Sequence, residues 1–322
     1  MIVFGSVPSR RLGRSLGINN IPFKFCTYSC IYCQLGRTSK LQIEREKFYN
    51  VKKIFNEVNK KIKELKGKID YITFVPDGEP TLDINIGKEI EILRKFGYKI
   101  AVITNSSLLW REDVRNDILK ADLISLKVDA VDKNKWLRIN RPSYSLNLGE
   151  IMKGIKIFSE VYGGKIITET MLIKGMNDEN AHLQKIADFL AEINIAKSYI
   201  SIPTRPPAER WVKKPDEETI NKAYQIFSKK IKNVELLTGY EGNEFFVTKN
   251  VKENLLSILA VHPMRKDALT KFLKKAGKNW ELIKELIDEE EIVEVEYEGK
   301  KFYIRKNKNE KFNGSHVFWL GY

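Results

Sequence analysis

The chain has 322 residues, with 56 Lys and Arg against 42 Asp and Glu and a formal net charge of +14. That length allows one large domain and a small one, and the 43% hydrophobic content suits a water-exposed globular fold. No apolar run approaches the ~20 residues of a membrane span, and Ser9-Arg10-Arg11 lacks the apolar stretch that a twin-arginine export signal requires. A cytoplasmic protein without a membrane partner is expected.

The charge is uneven. Residues 1–70 hold 15 Lys and Arg against 5 acids, whereas residues 248–322 hold 15 against 12. The first forty residues contain six bases (Arg10, Arg11, Arg14, Lys24, Arg37, Lys40) and no acid. Such a field attracts anionic partners, RNA among them. Lysine-rich surfaces also occur in thermophile proteins without any such partner.

A strand is expected ahead of Cys26-x3-Cys30-x2-Cys33, a loop that carries all three cysteines and Tyr32. Three thiolates on one short loop can hold three irons of a [4Fe–4S] cube and leave the fourth iron open. A zinc knuckle would need a fourth ligand, and His182, His262 and His316 show no metal spacing. The odd count argues against disulfides.

Beyond the loop, apolar spacing predicts a helix over Val51–Leu65. β-branched runs at Tyr71–Val75, Ile100–Thr104, Leu123–Val128, Ile166–Leu172 and Ser198–Ile202 read as strands. Helical patterns fill the gaps at Ile84–Phe96, Leu148–Val161 and Asn180–Glu192. With the strand ahead of the cysteines this makes six β/α units: an α/β fold built as a partial (β/α)6 barrel, with its chemistry at the C-terminal strand ends. The composition shifts after Gly239-Tyr240-Glu241-Gly242, giving a catalytic domain over 1–247 and a small domain over 248–322. In the latter, helices at Val251–Ala260, Arg265–Lys275 and Trp280–Glu289 precede strands Ile292–Tyr297 and Lys301–Arg305, the pattern of a winged helix-turn-helix. The terminal Val317-Phe318-Trp319 is expected to pack somewhere.

The second strand ends in Pro76-Asp77-Gly78-Glu79-Pro80, where Gly78 permits close backbone approach and Pro80 fixes the turn. Thr104-Asn105-Ser106 closes the third strand. Ser125, Lys127 and Asp129 alternate along the fourth, so they share a face, as do Glu169 and Met171 on the fifth. Together the cysteine loop and this turn resemble the radical SAM superfamily, whose second signature is a Gly-Gly-Glu-Pro-like turn; Asp77 replaces its first glycine.

The resemblance implies a [4Fe–4S] cluster on Cys26, Cys30 and Cys33 and S-adenosylmethionine (SAM) chelated to its open iron. Reductive cleavage would give methionine and a 5′-deoxyadenosyl radical. In such a site Tyr32 would lie along the adenine and Gly78, Glu79 and Pro80 would hold the methionyl end. Asn105, Ser125, Lys127, Asp129 and Met171 would complete the SAM contacts. A ferredoxin- or flavodoxin-like donor would supply the electron. Val7-Pro8-Ser9-Arg10-Arg11-Leu12-Gly13, Cys33-Gln34-Leu35-Gly36 and Ile202-Pro203-Thr204-Arg205-Pro206-Pro207 are similar to the branch of the tRNA wyosine-synthesising enzymes. Those synthases carry further cysteines for a second cluster, and this chain has none left, so it resembles a relative of that branch. The implied activity is modification of a macromolecule, RNA or tRNA, with a peptide or protein substrate and an iron–sulfur sensor of nucleic acid as alternatives. Arg10, Arg11, Arg14, Arg138, Arg141 and Arg205 are the candidate substrate clamps.

Overall fold

The computed structural model describes residues 2–66, 68–239, 245, 247 and 250–306. Tyr240, Glu241 and Gly242 of the expected linker, His316 and the Val317-Phe318-Trp319 tail lie outside them.

In chain order, β1 (Val3–Ser9) and β2 (Gly13–Ile18) form an antiparallel hairpin, and β3 (Phe25–Cys26) and β4 (Lys40–Leu41) bracket the cysteine loop. There follow α1 (Val51–Glu64), β5 (Tyr71–Phe74), α2 (Ile86–Leu93), β6 (Lys99–Thr104), α3 (Glu112–Ile118) and β7 (Leu123–Lys127). Next come α4 (Lys133–Asn140), α5 (Leu148–Val161), β8 (Lys165–Met171), α6 (Asn180–Ala191), β9 (Lys197–Ser201), α7 (Glu217–Ser228) and β10 (Val234–Leu237). The main sheet has the order β1-β2-β5-β6-β7-β8-β9-β10, parallel from β2 onward. The six expected β/α units are present, extended by two strands the sequence pattern did not yield. β1 is interrupted by Gly5 and Pro8, and β10 is only four residues long.

Both faces of this sheet are covered, which is why its strands read as β-branched runs. Ile72, Phe74, Ile100, Val102, Ile124 and Leu126 turn outward to the helices and are fully buried. Helix α1 meets them with Ile54 and Val58, each worth about 1.5–3 kcal/mol of burial; Asn50 caps its start by accepting from Lys52 N at 2.9 Å. On the inner face Leu12, Ala101, Leu123, Ile167, Tyr199 and Leu237 form a separate apolar plug. Toward the C-terminal strand ends the inward side chains become polar: Ser15 Oγ bonds Thr73 Oγ1 at 2.7 Å, and Lys127, Glu169 and Ser201 follow. The plug closes the barrel below and leaves a polar chamber above it.

The sheet does not close, since β1 and β10 are its two edges. Arg10 reaches from the β1–β2 turn to the far edge, donating to Gly239 O at 2.9 Å.

The last described segment comprises α8 (Val251–Val261), β11 (Met264–Arg265), α9 (Lys266–Lys275), α10 (Glu281–Asp288), β12 (Ile292–Tyr297) and β13 (Lys300–Arg305). The three helices and the hairpin match the sequence reading; β11, directly after Pro263, adds a third strand beside β13. The segment has its own core of Leu255, Leu259, Leu269, Phe272, Ile283, Leu286 and Tyr303, into which Val7 of β1 also packs. It is tied to the barrel by Tyr297 Oη donating to Pro203 O at 3.3 Å and by a Lys214–Glu298 ion pair at 2.6 Å.

Candidate functional site

At the C-terminal strand ends lies a cavity of about 380 Å³ whose wall includes Cys26, Cys30 and Cys33. The loop is anchored from behind: Ile31, fully buried, packs with Ile139, Ile173 and Val212, and Ile31 N donates to Ile139 O at 3.0 Å. Each cysteine sulfur receives a side-chain N–H donor. Lys24 Nζ reaches Cys33 Sγ at 3.3 Å, Asn105 Nδ2 reaches Cys26 Sγ at 3.5 Å, and Asn140 Nδ2 reaches Cys30 Sγ at 3.5 Å. Among the described residues no three His, Cys, Asp or Glu side chains converge on one metal ion. A cubane asks for a different arrangement, one thiolate for each of three separate irons. Burial pushes the Cys26 thiol up to about 11 and raises Cys30 further, so filling the site with iron must release protons.

The turn after β5 faces this loop. A Cβ on Gly78 would stand 1.8 Å from Phe25 O, an overlap that only glycine avoids. Glu79 N donates to that same carbonyl at 3.1 Å, and Lys24 N to Asp77 O at 2.8 Å, so the two signature segments are stitched backbone to backbone. The Glu79 carboxylate is buried and used by the chain itself. Oε1 accepts from Thr81 N (3.1 Å), Thr81 Oγ1 (2.6 Å) and Thr104 Oγ1 (2.7 Å), and Oε2 from Asn105 N (2.7 Å). Burial raises its pKa, and these bonds oppose the rise. Pro80, expected among the SAM contacts, opens a 3-10 turn and is not among the residues that line the cavity. Asp77 is buried, and burial lifts its carboxyl to about 6 against the opposing bond from Asn19. Its Oδ1 has no hydrogen-bond partner among the described residues.

Across the chamber Glu169 accepts from Arg11, from Lys127 Nζ at 2.8 Å and from Ser201 Oγ at 2.9 Å. Burial alone would raise the Glu169 pKa, but Arg11 and Lys127 outweigh it and hold the carboxylate ionised well below its usual range. For Lys127, burial disfavours the charge, yet Glu169 and Asp129 prevail and its pKa rises. Asp129 is taken up structurally: Oδ2 accepts from Tyr32 Oη and from Asn140 Nδ2 (2.9 Å), and Oδ1 from Met171 N (2.9 Å). Of the expected trio on β7, Lys127 lines the cavity, whereas Asp129 and the buried Ser125 are not among its lining residues. Tyr32, Gly78, Glu79, Asn105 and Met171 do line it.

The six arginines divide. Arg10, Arg11 and Arg205 are in the cavity wall. Arg14 lies outside, forked onto Asp70 at 2.9 and 3.1 Å; Arg141 holds Glu209 at 2.5 Å, and Arg138 reaches Met176 Sδ at 3.6 Å. Sequence reasoning passed over Lys24, Asn140 and His262. Lys24 and Asn140 act on sulfur through folding alone, and no local spacing announces them. His262 belongs to the C-terminal segment yet lines the cavity beside Arg205.

A family model described as the Radical SAM superfamily matches residues 20–190, the stretch that holds the cysteine loop, the Gly78 turn and β5–β8. The chain belongs to the radical SAM superfamily. It is 49% identical to a UPF0026 protein of Methanocaldococcus jannaschii over 98% of this chain and 99% of that one, which also makes it a UPF0026 family member. At greater distance it is 25% identical, over 62% of its length and 59% of the relative's, to a probable dual-specificity RNA methyltransferase RlmN of Endomicrobium trichonymphae. The structure of TYW1 with a lysine-pyruvate adduct bound shares the fold, with a TM-score of 0.50 at 18% identity over 67% of this chain and 73% of that one.

Membership makes the protein an iron–sulfur, SAM-dependent enzyme. The residues present fit both groups. Three soft sulfur donors share one wall with an N–H donor at each, the Gly78 cradle brings backbone up to the cavity, and Asp77 Oδ1 is an orphaned acceptor in the same wall. No helix among the described residues is long and apolar enough to cross a membrane.

Proposed function

We propose that this radical SAM enzyme modifies RNA, with tRNA as its substrate class, and that residues 250–306 form a winged helix that helps to receive it. The observation that carries the reading is the shared cavity wall. Cations of the barrel, Arg10, Arg11 and Arg205, meet His262 of the C-terminal segment around one chamber, at the basic end of a +14 chain. A phosphodiester strand that entered beside Arg10 and Arg205 would meet positive charge. The likeness to a probable RNA methyltransferase supports the same direction.

Cys26, Cys30 and Cys33 would hold the cluster, and Gly78 with its flanking carbonyls the methionyl end of SAM. When bound, the pair supplies one-electron reductive cleavage of a carbon–sulfur bond and, from it, hydrogen abstraction at an unactivated carbon. The chain's own work is placement and exclusion. Glu79 fixes the turn instead of meeting the ligand, because its oxygens already serve Thr81, Thr104 and Asn105. Lys127, in the cavity wall between Glu169 and Asp129, is the donor that suits the carboxylate of SAM. Asp77 Oδ1 suits its ammonium. Asp129 orients the Tyr32 ring against the chamber wall. The apolar plug below and the C-terminal segment beside it limit water around the reacting atoms.

The test is anaerobic reconstitution, reduction, and measurement of 5′-deoxyadenosine with and without tRNA. We expect production that disappears in Cys30→Ala and rises with tRNA. Production stimulated by polypeptides and indifferent to RNA would transfer the reading to a peptide substrate.

A further inference from the structure

Three segments pack around the outside of the cysteine loop: residues 24–43, 133–149 and 205–214. Ser29 N donates to Asn140 O at 3.0 Å, Ile31 N to Ile139 O at 3.0 Å, and Glu209 N to Ile31 O at 3.0 Å. These segments hold eleven Lys and Arg and a single acid, Glu209. That acid is spoken for by Arg37 at 2.9 Å and Arg141 at 2.5 Å. Interleaved with the cations are exposed apolar side chains: Leu137 at 44%, Trp211 at 51% and Tyr144 at 99%. Arg37, Leu137, Tyr144, Arg210, Trp211 and Lys213 are all absent from the lining of the cavity. The patch therefore stands outside the cavity, and Glu209 and Val212 join it to Ile31, the neighbour of Cys30.

That position separates two uses of a basic, aromatic surface. The reacting nucleotide of an RNA must enter the chamber, since hydrogen abstraction requires contact between atoms. An electron crosses a layer of protein without entering. We infer that this outer face is the docking surface for a small, acidic one-electron carrier protein, which delivers its electron through the wall behind Cys30. The inference rests on the cluster and not on the RNA reading. In the step one electron leaves the carrier, which is oxidised, and enters the cluster, which is reduced by one; no bond forms or breaks. A surplus of positive charge, with Lys40, Lys135 and Lys214 paired to Glu46, Glu179 and Glu298, and a few exposed apolar groups fit a transient encounter, steered at long range and released quickly. The net positive field selects an acidic partner over a basic one.

The experiment uses the full-length, cluster-loaded protein and two variants, Arg210→Glu/Lys213→Glu and Trp211→Ala. Bleaching of the cluster's visible absorbance is followed by rapid mixing with a pre-reduced acidic low-potential ferredoxin, and separately with dithionite. We expect the charge reversal to slow ferredoxin-driven reduction at least about tenfold at low salt, with the difference shrinking as salt rises. Dithionite reduction should be unchanged. Trp211→Ala should weaken binding of oxidised ferredoxin, measured by calorimetry, with a smaller salt dependence. Ferredoxin rates equal to wild type in both variants would overturn the proposal. So would variants that keep the ferredoxin rate but lose tRNA affinity, which would assign the face to RNA.

Discussion

The guanidinium of Arg205 lies 3.1 Å from the ring nitrogens of His262, although Arg205 follows β9 of the barrel and His262 ends α8 of the C-terminal segment. Arg205 also donates to Gln34 Oε1 at 2.6 Å, and Gln34 directly follows Cys33. The C-terminal segment thus touches the cysteine loop through a single intervening side chain.

This contact has a pH signature. Burial first, and Arg205 second, hold His262 well below its usual 6.5, and burial lowers His182 to about 4. Both groups take up protons more readily when unfolded, so their contribution is present above about 6.5 and is lost as pH falls toward 4. We expect the thermal midpoint to drop over that interval, with a shallower slope in His262→Phe. At neutral pH that variant should lose about 1.5–3 kcal/mol, the cost of removing an acceptor from a buried charged donor. An acid limb of wild-type steepness in His262→Phe would remove His262 from the account.

Glu89 runs the other way. It is buried beside Asp83, and that burial, reinforced by Asp83, raises it to about 9, while Asn20 offers only a long bond of 3.4 Å. A carboxyl raised above its unfolded value of about 4.3 is an advantage only below that value, and stability drains away as pH rises toward 9. Glu89→Gln should leave stability near pH 4 almost unchanged and raise it increasingly from there toward pH 9. Denaturant midpoints across pH check this; equal midpoints at alkaline pH would contradict it.

The donors on sulfur set the cluster's poise. Hydrogen bonds to thiolate favour the more negative, reduced state, so losing one makes reduction harder. Lys24→Met removes the 3.3 Å donor on Cys33 and a positive charge together. We expect three retained cysteines, near-normal iron content, and a midpoint potential lower by some tens of millivolts. A spectroscopically monitored redox titration measures it; an unchanged potential would make Lys24 merely a brace for Gly36 O, which it also reaches at 2.5 Å.

Gly78→Ala should be far harsher than its size suggests. Its new methyl would meet Phe25 O, whose carbonyl belongs to the β-bridge carrying Cys26, so relief requires the cysteine loop to move. We expect loss of most SAM binding and a poor iron yield in a chain that still folds, as judged by its circular dichroism. Normal SAM affinity would show that the cradle tolerates a wider gap.

Much of the fold was legible because parallel strands buried on both faces leave β-branched runs: all five strands called from β5 to β9 agree with the structure to within one residue at each end. β1 and β10 escaped, one broken by Gly5 and Pro8, the other too short to show a period. Short helices α3 and α4 escaped for the same reason. Within the site, residues on the two signature segments could be named in advance, since backbone turns and ligand spacing are local. Asn140 could not, because its distance from Cys30 exists only once α4 has folded back over the loop. Nor could the division among Arg10, Arg11 and Arg14, where a hairpin turn sends one to Gly239, one to Glu169 and one to Asp70.

The three sulfur donors come from three separate places: Lys24 in the loop's own approach, Asn105 at the end of β6, and Asn140 at the end of α4. A partly assembled barrel could present the cysteines and still lack two of these contacts. A cluster held there would sit at a lower potential, and be harder to reduce, than one in the finished barrel.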